Sequence, residues 1–163
     1  MAMDMFINMG DKIKGETRDK AQAPKNDIDV LAWSWGMSQS GNAHTGGGGG
    51  AGKANFQDIS FTKYIDAASS ALMIALAKGT HIPKCVLLVR KAGEGQQKYI
   101  EITMEQVMVA SISTGGSGGE DKLTENVTLN FATVSFENFK QDNKGATVSA
   151  GIFKWKIAEN VAG

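Results

Sequence analysis

The chain has 163 residues, 17 of them basic and 17 acidic, so its formal charge is zero. A dedicated nucleic-acid binder usually carries a basic excess or a basic stripe; the sequence has neither, and no nucleic-acid partner is expected. Twenty glycines against two prolines predict many turns and few rigid linkers, in one domain spanning residues 1–163 that is long enough for a proper core.

The N-terminal stretch "MAMDMFINMGDKIKGE" places Asp4 early and has no basic start ahead of an apolar run, which is not the pattern of a Sec-type signal peptide. No apolar stretch approaches membrane-spanning length, so no membrane insertion is expected. The reading is of a protein that folds in the cytoplasm and, if exported, uses a route that reads no cleaved signal.

The first predicted strand is "DMFINM", with Met5, Ile7 and Met9 on one side. "DIDVLAWSWGMSQS" reads as one long strand, with Leu31, Trp33, Trp35 and Met37 on one face and Val30, Ala32, Ser34 and Gly36 on the other. A glycine-rich loop follows over about residues 41–54. In it, Gly47, Gly52 and Lys53 have the G-x-x-x-x-G-K spacing of a phosphate-binding loop. That motif needs a Ser or Thr after the lysine to hold magnesium, and it needs a buried strand before it and a helix after it. Position 54 is alanine, the preceding residues are polar, and "QDISFTKYI" downstream puts Ile59, Phe61 and Ile65 on one face at a period of two, which is a strand pattern. The glycine run therefore reads as a flexible loop between strands, and no cofactor is expected.

One helix is predicted in "DAASSALMIALAKG", with Asp66 as N-cap, Gly79 as left-handed C-cap, and Ala68, Leu72, Ala75 and Leu76 on one stripe. About twelve residues make no stable isolated helix, so it must lie on the sheet. "KCVLLVRK" and "QKYIEITM" flank "AGEG" as a hairpin, and "EQVMVASIST" follows. A second glycine-rich loop covers about residues 114–121; it lacks the dinucleotide fingerprint, and Glu120 and Asp121 would repel phosphate. "ENVTLNFATVSF" and "AGIFKWKIAE" complete the strands. Cys85, the only cysteine, reads as a buried thiol, and no disulfide can form within the chain. His44 and His81 have no partners at metal-ligand spacing, so no metal site is assigned. No nucleophile elbow or H-E-x-x-H motif is present, so no catalytic residue is assigned and an enzyme is not expected. The fold class is mainly β: a compact antiparallel β-barrel, closed or sandwiched, with one short flanking α-helix.

Four stretches go further. "DVLAWSWGMSQSG", "GGGGGAGK", "DISFTKYIDAAS" and "STGGSGGEDKLTENVTLNFA", in this order, with "IKGET" after the first strand, together resemble the Hcp family, the haemolysin-coregulated proteins of bacterial type VI secretion. The resemblance implies a phage tail-tube-like barrel that assembles as a homohexameric ring. Rings stack into a tube that a sheath drives out of the cell, tip components cap it, and effectors travel inside or at the tip. It also implies export without a cleaved signal peptide. Under this reading Gly46, Gly47, Gly48, Gly49 and Gly50 form a ring-stacking loop. Ser34, on the face opposite Trp33 and Trp35, is expected to line the lumen and contact effectors; the alternative places that face beneath the helix or at a subunit seam. The rival functions are a tail-tube subunit of a phage or prophage-like particle and a monomeric ligand-binding β-barrel.

Overall fold

The computed structural model describes residues 2–41, 52–92, 95 and 97–163. Its elements are β1 (Met3–Asn8), a 3₁₀ turn (Ala23–Lys25), β2 (Ile28–Asp29), β3 (Ala32–Ser34), β4 (Met37–Gln39), β5 (Ala54–Phe56), β6 (Ile59–Tyr64), α1 (Ser69–Lys78), β7 (Ile82–Lys91), β8 (Lys98–Thr114), β9 (Thr124–Asn130), β10 (Thr133–Gln141), β11 (Thr147–Lys156) and β12 (Val161–Ala162).

Among the described residues every strand pairing is antiparallel. A first sheet runs β12-β11-β10-β8-β7-β1-β2, and a second runs β8-β9-β6-β3. β8 belongs to both. Its first part pairs with β7 and β10, and its last part, from Met108 to Thr114, pairs with β9. Between these parts Gln106 takes a φ of +52°, and the register with β9 shifts between Val109 and Ser111. A bulge of this kind bends a strand and lets it serve two sheets.

The two sheets curl toward each other around one apolar cluster that includes Ile7, Ile28, Phe61, Leu87, Met104 and Leu129. Among the described residues, the expected barrel is not closed by a continuous ladder. Residues 28–34 span the open seam instead: the Val30 N–H donates to the Met5 carbonyl at 2.9 Å, and the Leu31 N–H donates to the Thr62 carbonyl at 2.8 Å. The expected single strand over this region is thus three short ones, β2, β3 and β4, each paired with a different partner. Trp33 and Trp35 pack against the core as expected, whereas Leu31 and Met37 are exposed. "ENVTLNFATVSF" likewise divides into β9 and β10, because the chain turns at Phe131 and Ala132 to pass from one sheet to the other.

The helix lies on the sheet with Ala68, Leu72 and Ala75 buried, while Leu76 is exposed. Ala68, not Asp66, is the N-cap; the Asp66 carboxylate, two residues earlier, accepts the Ala68 N–H at 2.9 Å. Gly79 has a φ of +64°. It closes the helix in a Schellman arrangement, with the Gly79 N–H on the Leu76 carbonyl and the Thr80 N–H on the Ala75 carbonyl.

The segment between β1 and β2 folds back over the outer face of β1 and β7. Gly15 makes this possible: a Cβ there would meet the Ile28 Cα at 2.6 Å, so only glycine lets the two backbones approach. Arg90 holds the segment from below. It is buried, lies 4.8 Å from the Phe6 ring centre and pairs with Asp19. The Arg90 guanidinium holds the Asp19 carboxyl below the usual carboxylate range. Burial pushes the Asp27 carboxyl up, against a 2.7 Å hydrogen bond from the Asn8 amide.

Candidate functional site

Period-two alternation gives the second sheet two unlike faces. Trp33, Phe61, Val127 and Ile112 stand in register on the inner face. Two rows run across the outer face: Ser34, Ser60, Thr128 and Ser111 in one, and Ala32, Thr62, Asn126 and Ser113 in the other. All eight side chains are small, and none is ionisable. Cross-strand contacts order them: the Ser60 and Thr128 hydroxyls lie 3.3 Å apart, and the Thr62 hydroxyl donates to the Asn126 side-chain carbonyl at 2.6 Å. Over these eight positions the face is a wall of small side chains without fixed charge; at its far end it continues to Tyr64, opposite Thr124. Among the described residues, neither outer edge of this sheet, β3 on one side and Ser111–Thr114 of β8 on the other, has a further strand beside it.

Ser34 is exposed on this outer face and does not lie beneath α1. Its six polar neighbours in the two rows were not singled out from sequence, although each occupies the off-core position of a period-two strand.

Gly46, Gly47, Gly48, Gly49 and Gly50 lie outside the described residues. What is described is the base they spring from. β4 and β5 form a separate two-stranded hairpin, in which Met37 faces Phe56 and Gln39 faces Ala54. A Cβ on Gly52 would meet the Ser40 hydroxyl at 2.6 Å and the Gln39 side-chain carbonyl at 3.0 Å, so a larger residue there would require these side chains to turn aside. An aromatic stack anchors the hairpin to β10 and β11. Trp35 lies 6.1 Å from Phe136 and 6.5 Å from Phe56, and Phe56 lies 6.3 Å from Phe153 and 6.5 Å from Trp155. Spacings of this order suit offset aromatic packing. Lys53 is exposed and leads directly into a strand, so the helix that a phosphate loop requires is not there.

At the far end of β6 the alternation turns a lysine inward. Lys63 faces Glu125 across the ladder, and both are fully buried. They are ion-paired, and Lys63 also lies 2.8 Å from Asp66. The Ser69 hydroxyl donates to Glu125 at 2.7 Å and accepts from Lys63 at 3.2 Å and from the Asp66 N–H at 3.0 Å. Lys63 thus takes the inward position that continues Ile59 and Phe61, while Ile65, expected on that face, is exposed. The cluster locks the first turn of α1 to β6 and β9.

Among the described residues, no group of three or more His, Cys, Asp or Glu side chains is placed to hold a metal ion, and no helix is long and apolar enough to cross a membrane. Cys85 is buried in the core, and burial pushes its thiol up to about 12, far from the thiolate a nucleophile needs.

Residues 6–137 match the family described as "Type VI secretion system effector, Hcp". The chain belongs to the Hcp family. It is 58% identical over 163 residues to Protein hcp1 of Pseudomonas aeruginosa, with 99% of each chain covered. A solved type six secretion system protein superposes with a TM-score of 0.90 at 27% identity, covering 99% of this chain and all of that one. Hcp1 from Salmonella typhimurium superposes with a TM-score of 0.78 at 34% identity, covering 99% of both. As an Hcp protein the chain is a tube subunit of type VI secretion, which is what the resemblance of its four sequence stretches implied.

Proposed function

We propose that six copies close into a ring whose bore is lined by the outer face of the second sheet, and that rings stack into the tube through the β4–β5 hairpin and its loop, Gly46 to Gly50. The supporting observation is the eight-position face of small neutral side chains, bounded on both sides by strand edges that are unpaired among the described residues. A passage for varied cargo must hold none of it fast. Fixed charges would retain oppositely charged cargo, and apolar patches would retain unfolded cargo. Small hydroxyls keep their water and do neither. The two edges differ, which suits a heterologous contact that repeats around a ring and closes.

Stacking has the opposite requirement, since the tube is built and later dispersed. A glycine loop loses backbone entropy when it orders, which keeps each stacking contact weak and reversible. On this reading the protein is made and assembled in the cytoplasm with sheath and tip components, carries effectors, performs no turnover, and leaves the cell with the tube and without a cleaved signal peptide.

Ser34→Gln tests the bore. Rings should form as before by light scattering, while the amount of effector co-purified with them changes, because six longer amides then project into the passage. If Ser34→Gln prevents ring assembly, Ser34 lies in a subunit seam and the bore is lined by another face.

A further inference from the structure

A cleft of about 640 Å³ opens where β6 ends and β9 begins. Its apolar floor is Tyr64, Ile65 and Leu123, which are 38%, 46% and 39% exposed. Three separate chain segments are tied together around it: the Ile65 N–H donates to the Leu123 carbonyl at 2.9 Å, Glu16 accepts the Ala67 N–H at 2.9 Å, and Asp66 pairs with Lys63. Asp29 and Asp121 also line the cleft and have no cation partner among the described residues. Two cations also stand on its wall, Arg18 and Lys122, against four carboxylates, and Lys122 lies over the Tyr64 ring at 5.2 Å.

Three exposed apolar side chains held in a rigid concave site call for an occupant, and charge and topology indicate which. The chain from Met37 to Phe56 contains no Asp or Glu and carries Lys53 and His44. The hairpin built from it leaves the second sheet beside Ser34 and Ser60, at the start of β6, whereas the cleft lies beyond Tyr64 and Thr124 at the other end. The two ends are about 17 Å apart at the usual rise of a strand. Lys53 directly precedes β5 and so stays at the hairpin's end of its own subunit. Basic hairpin and acid-rimmed apolar cleft are therefore placed to meet between subunits arranged end to end.

We propose that this cleft receives the β4–β5 hairpin of a second copy in the adjacent ring, with Lys53 of that copy set against Asp29 and Asp121. The proposal rests on the stacking role given to the hairpin above and names the surface it stacks on. It also gives Lys53, the lysine of the rejected phosphate motif, a partner.

Charge reversal on the purified full chain tests it. Lys53 and Asp121 are both exposed, so Lys53→Glu and Asp121→Lys should each leave the ring intact by sedimentation. Each should raise the concentration at which tubes appear by electron microscopy roughly tenfold, since like charges then face each other at the contact. Combining them restores opposite charges and should bring tube formation back. Normal tubes from either single variant, or no recovery in the double variant, would overturn the cleft assignment. Replacing Gly46 through Gly52 by an Asn-Gly turn separates the two ideas. If that variant forms rings but no tubes while the charge variants stack normally, the hairpin keeps its stacking role and only the cleft is wrong. If it too stacks normally, both are wrong.

Discussion

Lys63 and Glu125 show how much one buried pair can depend on a single partner. Neither side chain reaches solvent, and their charges are balanced by each other, Asp66 and the Ser69 hydroxyl. Removing the lysine alone strands a carboxylate in the core, one of whose oxygens already lacks a hydrogen-bond partner. Lys63→Met should therefore cost about 3–5 kcal/mol, read as a lower urea midpoint with an unchanged slope. Replacing the pair together, Lys63→Met with Glu125→Leu, should recover most of the loss, because two apolar side chains carry no such penalty. A double variant as unstable as the single one would show that the cluster contributes packing rather than charge balance. Only the register between two strands separated by the helix and the β7–β8 hairpin reveals the pair. A lone lysine in an alternating strand gives no sign that its partner waits 62 positions away.

At the scale of elements, regular pieces were legible and corners were not. Alternation is a local property, so Ile7 in β1, Met9 just beyond its end and Cys85 in β7 could be placed in the core directly. The break at Phe131 and Ala132 carries no turn residue. It exists because β9 and β10 pair with different parts of β8, a condition set by strand pairing and not by the residues at the break. The helix was legible at its end, where glycine marks the stop, and less so at its start, where Asp66 acts two residues before the N-cap. Gly79→Ala tests the stop. An alanine at a φ of +64° should cost about 1–2 kcal/mol in a urea titration, and Gly79→Asn should cost less, since asparagine tolerates that conformation better. Equal losses would mean that the site is limited by space, although only the Met108 methyl, at 3.9 Å, lies near the missing Cβ. Of the candidate site, Ser34 could be read from its position opposite Trp33. The other seven positions become a wall only when four strands from distant parts of the chain are laid side by side.

For the molecule as a whole, one strand carries a consequence of a different kind. β8 runs 17 residues and is a ladder partner in both sheets. If, as proposed, the tube is driven out by a sheath, it must bear load, and a subunit made of two stacked sheets would shear at the plane between them. Here no such plane is free. Parting the sheets means stripping β8 from β9 or from β10 and β7, which sets rows of hydrogen bonds in parallel so that they share the force and must break together. Pulled between Ala32 on one sheet and Val148 on the other, the subunit should yield in one rupture that releases both sheets. A partial step with one sheet still folded would show that the bend at Gln106 acts as a hinge. Without such a hinge, β8 serves as the subunit's girder, and in the proposed assembly thrust applied to the first sheet would reach the wall of the bore along an unbroken backbone.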